Sequence, residues 1–501
     1  MQDYLHNDVY PENREAGMHE RKPTMPQYQL ITGAGATIVL DDVAVTQLAA
    51  SLRGSLIRPG DADYDTARAV WNGMIDRHPA LIAHCVCTED VVTAIRFARA
   101  HALLVAVRGG GHNVAGSAVC DDGLVIDLSR MKAIQIDPAA RTVRAQAGLT
   151  WGDLDRATQE LGLATPGGLV SETGIAGLTL GGGIGWLRNK YGLSCDNLIS
   201  AEIVTADGQI RTVSAHEHAD LFWALRGGGG NYGVVTMFEY QLHPVGPEVA
   251  LCFVLYPAAQ AREALQFFRS YAAAAPDEIS AIAVMGTVPH ADAYPLETQG
   301  QRYIVFGACY AGPVDLGQQV LQPLREWSTP MLDFSGVMPY VDVQTLWDAD
   351  YPAGKLRYYW KSIYVDELSD AVIDRLVSAA SESPSHHATV DVWHIGGAIG
   401  RIDATASAFG RRDMPYLIGI EGNWEDARDD EPNIAWTRTL WADLHRFSSG
   451  AVYLNFPGFG EEGEALVRAG YGENYDRLAA LKRTYDPTNL FRLNQNVAPA
   501  T

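Results

Sequence analysis

The chain has 501 residues, of which 47% are hydrophobic and 20% charged, so global disorder is excluded and two or three domains are expected. Sixty acids against 38 lysines and arginines give a net charge of −22, a field that repels nucleic-acid and anionic lipid surfaces, so neither is expected as a partner. No apolar run reaches the ~20 residues of a bilayer crossing, and the polar stretch Met1 to Gly33 lacks a signal-peptide apolar region, which points to a cytoplasmic protein.

Residues 1–45 read as an N-terminal extension with little core of its own. Thr88 then caps a helical pattern, EDVVTAIRFARAHA, with acids in its first turn. A buried strand, LLVAV, runs into the glycines at Gly109, and LVIDLS and TVRAQAG read as further strands. Thr150 and Asp153 make a capping box for a helix that stops at Gly162. AEIVTADGQIRTVS is a hairpin turning at Asp207-Gly208, and HADLFWALR a short helix ended by Gly227. Beyond Pro244 strand-like runs (VALCFVLY, RYIVFGACY, TVDVWHIGG, YLIGIEG) alternate with helices near 258–273, 366–382 and 435–447, an α+β pattern with a largely antiparallel sheet over 245–450. The chain closes with a helix stopped by Pro487 and a polar tail.

Glycine is the compositional outlier. Of 49 glycines, 23 fall in the 125 residues from Gly109 to Gly233. The run Gly228 to Gly233 fits GxGxxG, but a helix precedes it and a strand follows, the reverse of a dinucleotide fingerprint, and no acid lies at the required distance. No P-loop, HExxH or GxSxG motif occurs, and Cys85 and Cys87 are spaced CxC rather than as a zinc or redox pair, so no metal site is expected. Two readings of the glycine loops remain: tight turns, or backbone N–H groups converging on an anion such as a pyrophosphate.

Three segments decide between them. VRGGGHNVAGSAVCDDGLVIDLSRM (107–131), GIAGLTLGGGIGWLRNKYGLSCDNL (174–198) and DLFWALRGGGGNYGVVT (220–236), with YLNF (453–456) and NLFRLNQN (489–496), resemble the FAD-linked oxidases of the vanillyl-alcohol oxidase superfamily. The similarity is to the berberine-bridge-enzyme and 6-hydroxy-D-nicotine-oxidase branch. The fold implied is α+β: a two-part FAD-binding domain over 46–244, with a PCMH-type core at about 75–244, and a substrate-binding domain over 245–450 whose largely antiparallel sheet is covered by helices. A C-terminal segment, 451–501, returns to the FAD domain.

The resemblance also implies roles. His112 bonds covalently to the flavin, which raises its potential and prevents its loss. Relatives with a second, cysteinyl link carry the cysteine shortly before the GIAG segment, where this chain has Val170, so a single link through His112 is expected; Cys195 reads as a small buried residue. Arg108, Gly109, Gly110 and Gly111 approach the pyrophosphate, with Asn113, Gly116 and Ser117 nearby. Thr173, Gly174, Gly177, Leu178, Gly181 and Gly182 form a second wall, Ile203 and Val204 serve the adenine end, and Asn494 and Asn496 close over the ring.

Tyr453 matches a tyrosine that acts as base in this branch, and Asn455, two residues on in what reads as a strand, faces the same pocket. The alternative for Tyr453 is a core tyrosine. Trp393 and His394 sit where relatives present pocket residues, although a buried, backbone-satisfied histidine fits as well. The implied function is an FAD-dependent oxidase acting on an alcohol or amine carbon of a small molecule, a natural-product intermediate or a sugar, with oxygen as acceptor and hydrogen peroxide as product. A dehydrogenase or oxidative cyclase of secondary metabolism, and a non-catalytic flavin carrier, are the alternatives.

Overall fold

The computed structural model describes residues 27–458 and 463–501. Residues 1–26 of the expected extension lie outside them, but 27–45 are not coreless. Strands Gln27–Ile31 and Thr37–Asp41 pair as a hairpin and lead into helix Asp42–Ser51. Leu30, Leu40, Val45 and Leu48 are buried in the same core as the central strands.

Two sheets carry the glycine loops. In the four-stranded one, Ser55–Ile57 pairs antiparallel with Leu81–His84, which runs parallel to Leu124–Asp127, itself parallel to Val105–Arg108. The crossover helix is Thr88–Ala100, and it starts one residue earlier than the capping pattern suggests. Cys87 is its N-cap, while the Thr88 hydroxyl donates to Glu202 Oε1 at 2.7 Å. Asp90 is the residue that anchors this turn, accepting from the backbone N–H groups of Arg53, Gly54 and Val86.

The five-stranded sheet is antiparallel, in the order Ile210–Ser214, Leu198–Thr205, Gly233–Gln241, Thr142–Gln146, Ile134–Asp137. Its hairpin turns where expected: Gly208 has φ +73°, and the Asp207 carboxylate accepts from Thr205 Oγ1 and the Gln209 N–H. The Thr150–Asp153 capping box starts helix Trp151–Gln159, and Gly162 (φ +65°) ends the turn that follows.

The largest sheet has eight antiparallel strands. Expected members are Glu248–Pro257, Arg302–Tyr310, Thr389–His394 and Tyr416–Trp424; Ile279–Thr287 and Arg357–Val365 join them. Helices Ala261–Ala274, Asp370–Ser381 and Asp430–Leu444 pack on one face through Leu265, Phe268, Ile373, Leu376 and Leu440. The opposite face, rich in tyrosine and tryptophan, turns toward the glycine loops. No helix among the described residues is long and apolar enough to cross a membrane.

Candidate active site

A cleft of about 300 Å³ opens between the glycine loops and the aromatic face of the large sheet. Strand Val105–Arg108 delivers Gly109, Gly110 and Gly111 to its edge, and helix Ile175–Leu180 brings Gly174 and Gly177 to the other side. The two loops touch backbone to backbone: a Cβ on Gly110 would fall 2.5 Å from Gly174 Cα, and one on Gly174 would fall 2.4 Å from Gly110 N. No larger residue fits at either position. Among the described residues no hydrogen bond uses the N–H groups of Gly110, Gly111, His112 or Asn113. Gly111 is buried and Gly110, His112 and Asn113 are half-buried along the cleft, so these unpaired N–H groups are available to an acceptor there.

His112 follows directly. Its imidazole stacks on Trp71 (4.2 Å between centroids), which stacks in turn on Tyr358 (3.7 Å), so its plane is fixed. Burial pushes its pKa down to about 4, leaving a neutral ring at pH 7, and Nε2 is buried without a partner.

Tyr453 stands across the cleft, 2% exposed. Residues 453–456 form a turn, closed by Phe456 N–H to the Tyr453 carbonyl at 3.1 Å, and not the expected strand. The pairing with Asn455 is nevertheless tight: Asn455 Nδ2 donates to Tyr453 Oη at 2.8 Å and the Gly183 N–H donates to the same oxygen at 3.2 Å. Burial pushes the phenol up to about 12, and those two donors pull against it. A Cβ on Gly181 would lie 1.9 Å from Asn455 Oδ1, so a larger residue there has to displace the amide.

Most of the sequence-derived residues reach the cleft: Gly109, Gly110, Gly111, His112, Asn113, Ser117, Thr173, Gly174, Gly177, Leu178, Gly181, Trp393, Tyr453, Asn455 and Asn494 all line it. Others do not. The Arg108 guanidinium turns away, donating to the Ala67 carbonyl at 2.5 Å and lying 3.9 Å from Asp127. Ile203 and Val204 are fully buried one strand too far in; Val234 and Val235, paired with them in register, line the cleft instead. Gly116 and Gly182 support the loops from behind, packing on Ile75 and Phe409. His394 faces Asn189 (3.2 Å) and is held neutral, its pKa pushed to about 4 by burial. Asn496 is outside the lining, although its Oδ1 is buried without a partner.

The similarity to known proteins is extensive. Residues 79–214 match the FAD binding domain family and residues 452–498 the family described as berberine and berberine like. An FAD-linked oxidoreductase of Dictyostelium discoideum is 33% identical over 461 residues, 91% of this chain and 97% of that one. The (R)-6-hydroxynicotine oxidase of Paenarthrobacter nicotinovorans is 31% identical, over 90% of this chain and 97% of that one. The crystal structure of 6-hydroxy-D-nicotine oxidase from Arthrobacter nicotinovorans matches with a TM-score of 0.80 at 29% identity, covering 90% of this chain and 99% of that one. This chain is an FAD-linked oxidoreductase of the berberine-bridge-like branch of the vanillyl-alcohol oxidase family.

The residues of this oxidoreductase fit FAD. The unpaired N–H groups at Gly110 to Asn113 suit a pyrophosphate, the glycine walls admit a flat group, and His112 Nε2 and Asn494 Oδ1 lack partners at the edge. Among the described residues no lysine or arginine lines the cleft, so the cradle they form is made from backbone dipoles. Val170 lines the cleft and, among the described residues, no cysteine does; Cys195 is fully buried, its thiol pushed well above the usual range by burial.

Sequence reasoning missed two groups. Gly229, Gly230 and Gly233 line the cleft although their GxGxxG match is no dinucleotide fingerprint. Asp391 and Glu421, each 3% exposed, line it from the large sheet. Their signal was a single acid in each of two otherwise apolar or aromatic strands, VDVW and IGIEG, where a solvated charge has no place.

Proposed function

We propose that this oxidoreductase is an oxidase carrying FAD on His112 alone, acting on an alcohol or amine carbon of a small organic molecule such as a natural-product intermediate or a sugar. When bound, FAD supplies the acceptor for the substrate's hydride, and oxygen, released as hydrogen peroxide, restores it. The observation that carries the reading is the Tyr453–Asn455 pair set opposite the glycine cradle.

Tyr453 takes the proton from the substrate hydroxyl or amine. Its Oη already accepts from Asn455 and from the Gly183 N–H, so a negative charge arising on that oxygen meets two oriented donors. A phenol held near 12 is protonated at neutral pH, so the reactive fraction and therefore kcat/KM climb with pH through the neutral range. Asn455 holds its place by also donating to the Leu178 carbonyl at 3.2 Å. Trp71 holds the His112 ring, and the neutral imidazole retains the lone pair that a covalent bond requires. With Val170 in place of a cysteine, a second link has no donor. The division into FAD-binding residues 46–244, substrate residues 245–450 and a returning segment 451–501 follows from the same reading.

Acid precipitation tests the tether: yellow colour should pellet with the protein, and peptide mass spectrometry should find one flavin adduct, on His112. Flavin left wholly in the supernatant, or an adduct on Cys195, overturns that assignment. Oxygen uptake with peroxide formation on adding substrate supports an oxidase; reduction of an artificial acceptor with no oxygen uptake makes the protein a dehydrogenase.

A further inference from the structure

The ends of two neighbouring strands of the large sheet gather side chains that the cleft does not use. His386 and His387 precede strand Thr389–His394, and Glu425 follows strand Tyr416–Trp424. The strands are antiparallel partners, with Thr389 opposite Glu421, so the start of one lies beside the end of the other. One ligand atom from each of the three side chains lies within 4.8 Å of the other two. Among the described residues no other three histidines, cysteines or acids converge in this way. The exposed run His216-Glu217-His218 holds the same residue types in sequence and does not. None of His386, His387 and Glu425 lines the cleft.

His387 Nε2 and Glu425 Oε1 are 3.2 Å apart. Metal bonds of about 2.0–2.1 Å at tetrahedral angles separate neighbouring ligand atoms by about 3.3–3.4 Å, close to that spacing. The His386 ring lies against that of His387, 4.0 Å between centroids, and offers a second imidazole. The backbone beneath is held from both sides. The His387 N–H donates to Ser385 Oγ at 3.1 Å, and its carbonyl accepts from Asn423 Nδ2 at 3.1 Å. Arg302 anchors the preceding turn through the Ser383 hydroxyl and carbonyl, at 3.2 and 3.3 Å. His290 is near enough to act on His386 electrostatically. A surface His–Glu pair is by itself worth little; the second imidazole beside it makes a ligand set. Two imidazoles and one carboxylate suit zinc-class divalent ions, whereas Mg²⁺ and Ca²⁺ prefer oxygen ligands throughout.

We propose that His386, His387 and Glu425 bind one divalent transition-metal ion of the zinc class, with a fourth position left to water or to His290. The ion staples the two strand ends together. Asn423, which holds the His387 carbonyl, also accepts from Trp360 Nε1 at 2.6 Å, so the stapled end is one hydrogen-bonded residue from the cleft wall. Glu425 lies 38 residues from His387, which is why no spacing motif announces the site.

Isothermal titration of the full flavin-loaded chain with zinc chloride, at about pH 7.5 where ordinary imidazoles are mostly neutral, tests this without turnover. A tightest class of one Zn²⁺ per chain should appear at micromolar affinity, and excess Mg²⁺ should not displace it. Zn²⁺ should also raise the Tm, because it binds the folded chain. His386→Ala, His387→Ala and Glu425→Gln should each weaken binding at least tenfold with flavin content unchanged. His216→Ala, in the other histidine-bearing surface run, should bind Zn²⁺ as the wild type does. Absence of saturable binding of a single Zn²⁺, or its displacement by Mg²⁺, overturns the proposal on the wild-type protein alone, whether or not the variants fold. Undiminished binding in a His387→Ala, Glu425→Gln double variant, or loss of binding in His216→Ala, overturns it too. Zn²⁺ that binds at this site and leaves the Tm unchanged or lower removes the staple.

Discussion

The two sides of the cleft are made by different means. One side presents backbone: glycines whose side chains are excluded by 2.4–2.5 Å approaches, and N–H groups with no partner among the described residues. The other side presents side chains: tryptophans and tyrosines projecting from one sheet face around a pair of buried carboxyls. A backbone site serves a ligand that never changes and tolerates no Cβ. A side-chain site changes its ligand with one substitution and leaves the sheet intact. The berberine-like match at residues 452–498 falls on the segment that carries the turn joining the two, since Tyr453 and Asn455 touch Gly183, Leu178 and the glycine at 181.

That contrast predicts graded damage. Gly110→Val should be the most severe change, because its side chain has to displace the Gly174 backbone; bound flavin, read from visible absorbance per protein, should fall more than tenfold. Full flavin content in that variant would mean the loops are not interlocked. Tyr453→Phe should retain flavin and lose on the order of 10²–10⁴ in kcat/KM, the usual worth of a positioned base, and with it the rise of kcat/KM with pH. Unchanged turnover would remove Tyr453 from the chemistry.

Substrate-side changes should be milder and should leave flavin untouched. Tyr351→Phe removes the 2.6 Å hydrogen bond to Glu421 and should raise KM more than it lowers kcat, by roughly tenfold for a charged hydrogen bond. The smallest effect concerns stability. Asp391 has a folded pKa above its unfolded value, so the folded chain holds an extra proton and loses stability as pH rises from the ordinary carboxylate range toward the folded pKa. Asp391→Asn abolishes that loss. Its Tm relative to wild type should therefore be more favourable at pH 8 than at pH 5, by on the order of 1–3 °C; a difference of the opposite sign would show that the pair is ionised in the folded protein.

How legible each side was follows from how it is made. Glycine runs after a buried strand announce close backbone approach because only one residue type allows it, and all three glycines from Gly109 to Gly111 proved to line the cleft. Ile203 and Val204 lie one strand behind the lining, since a strand's neighbour in an antiparallel sheet cannot be read from its own residues; Val235 and Val234 hold the corresponding register positions. Arg108 lies outside the lining because its guanidinium turns to the Ala67 carbonyl, a tertiary contact that the residues beside it do not announce.

The amino-acid sequence by itself determined the backbone side of this protein: the glycine loops, the histidine that ends the first of them, the capping box at Thr150, the hairpin at Gly208 and the missing cysteine at Val170. These are local facts, set by what φ, sterics and neighbouring residues permit. Tertiary structure alone decided the rest. Asp391 and Glu421 meet because two strands pair with Gly419 opposite Asp391. Tyr453 meets Gly183 across 270 residues, and Asn455 meets Leu178, because the returning segment packs between the two sides. Contacts of that range depend on strand order and register, which are properties of the whole fold and of no segment within it.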